Sequence, residues 1–164
     1  MAITEVRIDD RLIHGQVSTL WVPNLQIERL LIIDDKVAID EDRKNVLKFA
    51  TPPQCKLSVF DAIKAAEKLS RNIDAGTKVM IVCASPEPLV TMSNLGYTVP
   101  RITVGNLSRR EHTQVLAQTA YVTKPELEAF ATLVSQGAEV AFQPTPTSHR
   151  ENLAVEIQKL QEGR

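Results

Sequence analysis

Leu30-Leu31-Ile32-Ile33 is the stretch that decides the fold. Four consecutive apolar side chains leave no polar face, so the segment reads as a strand covered on both sides. Strands of that kind belong to parallel sheets, whose crossover connections lay helices over both faces. Asp34-Asp35 follows at its carboxyl end, and an amphipathic stretch, residues 40–49, comes next.

Working outward from this βα unit, the same alternation recurs along the chain. Residues 3–8 give a first strand of weaker signal. Cys55, Leu57 and Val59 alternate with polar neighbours, so 55–59 reads as a strand nearer an edge. Val79 to Cys83 is a second buried run, and Ile102 with Val104, residues 118–122 and residues 139–143 complete the set. The expectation is an α/β fold: an open, doubly wound, mostly parallel sheet of about seven strands with helices on both faces. Ligands in such sheets bind outside the carboxyl ends of the strands.

Helices fill the gaps. Residues 15–22 place Val17, Leu20 and Trp21 on one face, with Pro23 as the stop. Residues 40–49 are expected to bury Val46, Leu47 and Phe49. Asp61 caps a helix carrying Ile63, Ala66 and Leu69. Ser85-Pro86 opens another helix and Gly96 follows its end. Thr123 with Glu126 makes a capping box ahead of Leu127, Phe130 and Val134, and Gly137 ends that helix. Ser148 with Glu151 reads as a second box, for the last helix.

Bulk composition limits what such a fold can do. The 164 residues make about one ordinary domain, taken as spanning 1–164. Nineteen basic against twenty acidic residues give a net charge of −1, which argues against nucleic acid as a partner. Met1 to Leu12 carries charges where a signal peptide needs an apolar run, and no stretch approaches the roughly 20 apolar residues of a membrane span. The expected location is the cytoplasm; for any work at a membrane, another chain must hold the protein there. Cys55 and Cys83 read as reduced core thiols, and no Cys/His spacing suggests a metal.

Chemistry concentrates in the loop after the first strand: Asp9-Asp10-Arg11-Leu12-Ile13-His14-Gly15-Gln16. It lacks a GxGxxG pattern and a Walker A lysine, so it is no nucleotide cradle. His14 precedes a short helix whose free N–H groups favour an anion beside the imidazole. Arg11 supplies a charge-assisted contact for phosphoryl oxygens. Asp9 or Asp10 holds one ring nitrogen and fixes the tautomer. Leu12, Ile13 and Leu107 offer an apolar rim that would keep water off. Arg7, Arg11, Arg43, Arg109 and Arg110 are expected to converge as a basic docking patch. Asp34-Asp35 reads as a loop and helix cap, His112 and His149 as surface residues, and Trp21 as core.

The run Arg7-Ile8-Asp9-Asp10-Arg11-Leu12-Ile13-His14-Gly15-Gln16-Val17 resembles the active-site loop of the IIB components of the phosphoenolpyruvate-dependent sugar phosphotransferase system, mannose/fructose/sorbose family. Leu31-Ile32-Ile33-Asp34-Asp35 with Asp40 to Asn45 is similar to that family's second βα unit. Thr103-Val104-Gly105-Asn106-Leu107 is similar to its Gly-Gly/Asn-Met segment, with leucine where methionine is usual. The likeness covers essentially the whole chain. It implies a sugar phosphotransferase without cofactor or metal, carrying phosphate on Nδ1 of His14. Arg11 and Arg43 would contact the phosphoryl group, and Asp9 would support the loop. The partners implied are a separate IIA phosphocarrier and the membrane components IIC and IID, which hold the sugar. A homo-oligomer is compatible with the sequence. The rival reading from the residues is a doubly wound module that binds a small anion and transfers nothing.

Overall fold

The computed structural model describes residues 1–163. From the amino end the chain runs β1 (Ala2–Asp9), a π-helical turn (Val17–Trp21) leading into α1 (Val22–Leu25), β2 (Arg29–Ile33), a 3₁₀ turn (Val37–Ile39) and α2 (Glu41–Ala50). It continues through β3 (Lys56–Phe60), α3 (Ala62–Ser70), β4 (Lys78–Cys83), α4 (Glu87–Asn94) and β5 (Arg101–Asn106). A hairpin of β6 (Gln114–Ala117) and β7 (Ala120–Val122) precedes α5 (Lys124–Ser135), β8 (Glu139–Phe142), β9 (Glu151–Asn152) and α6 (Ala154–Gln161).

The main sheet has seven strands in the order β3-β2-β4-β1-β5-β8-β9. All pairings are parallel except β8 with β9. Leu30 to Ile33 are wholly buried between β3 and β4, as their unbroken apolar run requires. The alternating strand β3 lies at the sheet edge, half-buried. One core packs Trp21, Val22 and Leu47 over Leu30, Ile32, Met80 and Val82. The second packs α3 to α6 over Leu31, Ile33, Val79 and Ile81 on the opposite face. The sheet is therefore doubly wound.

Neighbouring strands β1 and β5 release the chain to opposite faces. After β1 it passes onto the α1 side, whereas after β5 it enters the β6–β7 hairpin and α5 on the other. That divergence makes the carboxyl ends of the two strands the switch point of the sheet, where folds of this kind place their ligand crevice. The pairing of β1 with β5 slips between Ile8 and Asp9, which bends the end of β1 there.

Several local expectations are corrected. Pro23 does not stop the first helix; helical residues continue to Leu25 and end at Gln26, which adopts φ 54°. The π turn ends at Trp21, so Pro23 falls in the first turn of α1, where no donor is needed. Ser148 caps nothing: its hydroxyl meets Thr145 at 2.6 Å, and Glu151 lies in β9. The last helix begins after Leu153, with Asn152 accepting from the Ala154 amide. In α2, Leu47 is buried at 3% but Val46 and Phe49 are exposed, Phe49 at 93%. Residues advance about 100° each around a helix, so Phe49 points away from the face Leu47 buries. In α3 the inward face is Ala62, Ala65, Ala66 and Leu69, spaced i, i+3, i+4, i+7, which turns Ile63 outward.

These faces differ in their energetic weight. Leu47→Ala should cost about 2–5 kcal/mol by opening a cavity under α2. Phe49→Ala should stay within about 0.5 kcal/mol, since it removes surface only. Urea unfolding midpoints of the two variants measure the contrast, and equal losses would contradict the orientation of α2.

Candidate functional site

Glu5, Arg7 and Asp9 alternate along β1 and so share one face of the sheet. All three are buried. Glu5 accepts from the Thr103 hydroxyl at 2.8 Å. The Arg7 guanidinium lies 4.6 Å from the centroid of the Trp21 ring. Its Nη1 and Nη2 donate to the carbonyls of Gln143 (2.9 Å) and Pro144 (2.8 Å), and the Trp21 indole N–H joins the Pro144 carbonyl at 3.1 Å. Burial pulls Arg7 down from its ordinary value to about 10, despite the opposing effects of Asp9 and Glu5, and it remains a cation at neutral pH. Arg7 is therefore no part of a surface docking patch. Gly105 makes room for it, because a Cβ at that position would overlap the guanidinium.

Asp9 ends β1 with no exposed surface. Its Oδ1 accepts from the Arg11 amide (3.1 Å) and Nε (3.0 Å); its Oδ2 accepts from Arg11 Nη2 (3.0 Å). The His14 Nε2 lies 2.8 Å from the same Oδ2. Burial alone would raise the Asp9 carboxyl. Hydrogen bonds from His14 and Arg11 outweigh it and hold the carboxyl below its ordinary value. An ionised carboxylate only accepts, so Nε2 carries the proton toward Asp9. In the neutral imidazole, Nδ1 then keeps its lone pair.

The turn itself is fixed by backbone. The Leu12 amide donates to the Asp9 carbonyl at 2.9 Å, with Leu12 in a left-handed conformation at φ 58°. Asp10 faces away from His14. It accepts from Asn106 Nδ2 (2.9 Å) and the Ser108 amide (2.7 Å), stitching the loop to β5. Of the two candidates for the imidazole partner, the structure selects Asp9. Leu12 and Ile13 are buried in one core and Leu107 in the other, so they form no rim.

His14 is 16% exposed at the side chain, and its carbonyl accepts from the Ser18 amide, which starts the helical run. The N–H groups of the next three residues precede any intrahelical acceptor. Space above Gly15 is open, with nothing within 4 Å of an added Cβ. Arg11 is 41% exposed and also reaches Gln16 Oε1 at 3.3 Å. Arg43 stands exposed in the first turn of α2, its amide bound to the Asp40 cap. Among the described residues, no hydrogen bond or ion pair joins its side chain to His14, Asp9 or Arg11. Sequence reasoning missed Arg7, Trp21 and the Gln143-Pro144 backbone as one supporting assembly. The available signal was the charged alternation Glu5, Arg7, Asp9 in a strand that pairs on both sides.

The other chemical groups are occupied elsewhere. Arg110 forks onto Glu126 at 3.2 and 2.9 Å. Asp34 accepts from the Lys36 and Val37 amides, and Asp35 from Ala62 at the start of α3. Burial drives the Cys83 thiol well upward. Cys55 precedes β3, its Sγ donating to the Ile27 carbonyl at 3.0 Å, and burial raises it too. Both are poor nucleophiles. What remains at the carboxyl end of β1 is one imidazole of fixed tautomer beside an arginine, at the start of a helical run.

A family model described as the sorbose subfamily IIB component of the phosphotransferase system matches residues 3–163. The chain is 28% identical to the fructose-specific EIIB component of Bacillus subtilis strain 168, over 93% of each chain. It is 29% identical to the mannose-specific EIIAB component of Escherichia coli K12, matching 98% of this chain and 50% of that longer relative. The crystal structure of the IIBSor domain of the sorbose permease from Klebsiella pneumoniae superimposes with a TM-score of 0.89 at 28% identity, covering 97% of this chain and 98% of that one.

Two outcomes test the buried assembly. Because the folded Asp9 carboxyl lies below its ordinary value, its stabilisation is present above about pH 4 and is lost as pH falls. Asp9→Asn should cost about 3–5 kcal/mol at neutral pH by stranding buried cationic charge. Its unfolding midpoint should then fall less steeply than wild type on acidification. Gly105→Ala should cost about 1–3 kcal/mol by overpacking and should shift the emission of Trp21, the sole tryptophan, as Arg7 is displaced.

Proposed function

Since the chain belongs to the sorbose subfamily of phosphotransferase-system IIB components, which act in phosphoryl transfer during sugar uptake, we propose that His14 is its phosphoryl carrier. The observation that carries this reading is the 2.8 Å contact of Nε2 with buried Asp9, which leaves Nδ1 as the nucleophile. The Nδ1 lone pair attacks phosphorus as the donor's P–N bond breaks and its electron pair returns to the donor nitrogen. The Nε2 proton stays in place, and Asp9 stabilises the imidazolium character that develops. Negative charge on the transferred oxygens is met by Arg11 and the open helix-start amides. Arg43 joins only once a phosphoryl group or partner is present, since its side chain contacts none of the site residues.

The donor is the phosphohistidine of a IIA protein. The mannose-specific relative supports this, because its name couples IIA and IIB in one chain and this sequence matches half of it. The acceptor is a sugar held by membrane components IIC and IID. No helix among the described residues is long and apolar enough to cross a membrane. Attachment at the membrane is therefore assigned to those partners.

Incubation with phosphoenolpyruvate, the general phosphotransferase proteins and a IIA protein should place one acid-labile phosphoryl group on the chain. Mass spectrometry under conditions that keep phosphohistidine should locate it on His14. His14→Ala should fold and take no label, whereas His112 and His149 variants should label like wild type. Arg11→Lys should slow transfer about 10²-fold, as loss of one oriented donor does. A double Cys→Ser variant at 55 and 83 should label normally. Saturable phosphate binding without covalent label would favour the anion-binding alternative.

A further inference from the structure

Asp9 is contested by two arginines in unequal positions. Arg11 holds it with two side-chain hydrogen bonds at 3.0 Å, yet Arg11 is the arginine exposed to the crevice. Arg7 is fully buried, and its Nη1 and Nη2 are spent on the Gln143 and Pro144 carbonyls. Nε is its one nitrogen without an acceptor, and it lies 3.8 Å from Asp9 Oδ2, beyond hydrogen-bond reach. A buried guanidinium N–H without a partner is costly, and its nearest carboxylate oxygen is the one Arg11 Nη2 occupies. The other polar neighbours are the His14 imidazole on the same Oδ2 and Glu5, which Thr103 engages.

We propose that Arg7 is a reserve counter-ion that takes over Asp9 when Arg11 leaves it for the phosphoryl group on His14. The proposal rests on the reading of His14 given above. In the free protein, two cations share one carboxylate, and Arg11 is parked. Arrival of a phosphoryl group brings about two negative charges to the rim of the crevice. Arg11 is exposed and flexible enough to turn its fork outward onto those oxygens. Asp9 cannot follow, because its Oδ2 still holds the His14 Nε2 proton. Without Arg7, the departure of Arg11 would leave a desolvated carboxylate with the imidazole alone. Closing the 3.8 Å gap by about 0.8 Å gives the Arg7 Nε–H its missing partner and keeps Asp9 ionised. Trp21 and the two carbonyls hold the guanidinium in place for that short move. Arg7 is thus a positioning residue, acting through Asp9.

Nitrogen-15 NMR of the arginine Nε–H groups reads this directly in the wild-type protein, before and after phosphorylation through IIA. The Arg11 and Arg7 signals are assigned with Arg11→Lys and Arg7→Lys. On phosphorylation the Arg7 Nε–H should move downfield and exchange more slowly as it gains its bond. The Arg11 signal should shift as it changes acceptor. A protein labelled on His14 in which Arg11 stays on Asp9, or Arg7 is unmoved, overturns the handover while leaving the carrier reading intact. Failure of wild type to take label overturns both. In kinetics, Arg7→Met should slow acceptance from IIA by about tenfold or more with the donor KM unchanged, and Arg7→Lys should recover much of the rate by restoring charge. Equal rates for Arg7→Met and wild type also defeat the proposal. Should Arg7→Met fail to fold, the wild-type spectra and Arg7→Lys decide.

Discussion

The Asp9 carboxylate is the point on which the site's geometry turns. It sits in the sheet, wholly buried, at the strand end where β1 and β5 send the chain to opposite faces. An unpaired carboxylate there would be prohibitive, so its surroundings are arranged to keep it charged. Arg11 folds back over it, the Leu12 turn closes on its carbonyl, and His14 is drawn within 2.8 Å. Each of these follows from the need to satisfy one group. The same bonds choose the tautomer of the imidazole, and so decide which nitrogen faces the crevice.

Around that carboxylate the protein places two kinds of support. One is anchored in the interior: Arg7, held between Trp21 and the Gln143-Pro144 carbonyls, with Gly105 leaving room for it. It ties β1 to the helical run below the loop and to the segment after β8, elements distant in sequence. The other is adaptable: Arg11, exposed, bonded to Asp9 and Gln16, beside open space over Gly15. The carrier role proposed for His14 would draw on both. The anchored part holds the surroundings of Asp9 and His14, and the exposed part is the one open to solvent.

The cysteines and the second aspartate show how burial separates reactive groups from structural ones. Cys83 is a core thiol whose ionisation burial suppresses. Asp10 neighbours Asp9 in sequence, but its carboxylate serves Asn106 and Ser108 and fastens the loop to β5. Asp9 ends β1 and Asp10 opens the turn that follows, so the two neighbouring acids meet different partners and serve separate duties.

The sequence by itself determined the sheet, because an unbroken apolar run such as Leu30 to Ile33 has no alternative to burial on both faces. It also determined the caps at Asp61 and Thr123, whose bonds span only three residues. The chemical loop was legible too, since His14, Arg11 and Asp9 lie within six positions of one another. Tertiary structure decided the rest. Helical spacing in α2 admitted Val46, Leu47 and Phe49 alike, and only the position of the sheet showed that Leu47 alone faces in. Arg7 read as a surface cation because an arginine in a strand usually is one. Its burial depends on Trp21, 14 positions onward, and on carbonyls 136 and 137 positions onward. The choice between Asp9 and Asp10 likewise waited on Asn106, a strand away, because local spacing carries no information about which neighbour the folded chain will bring.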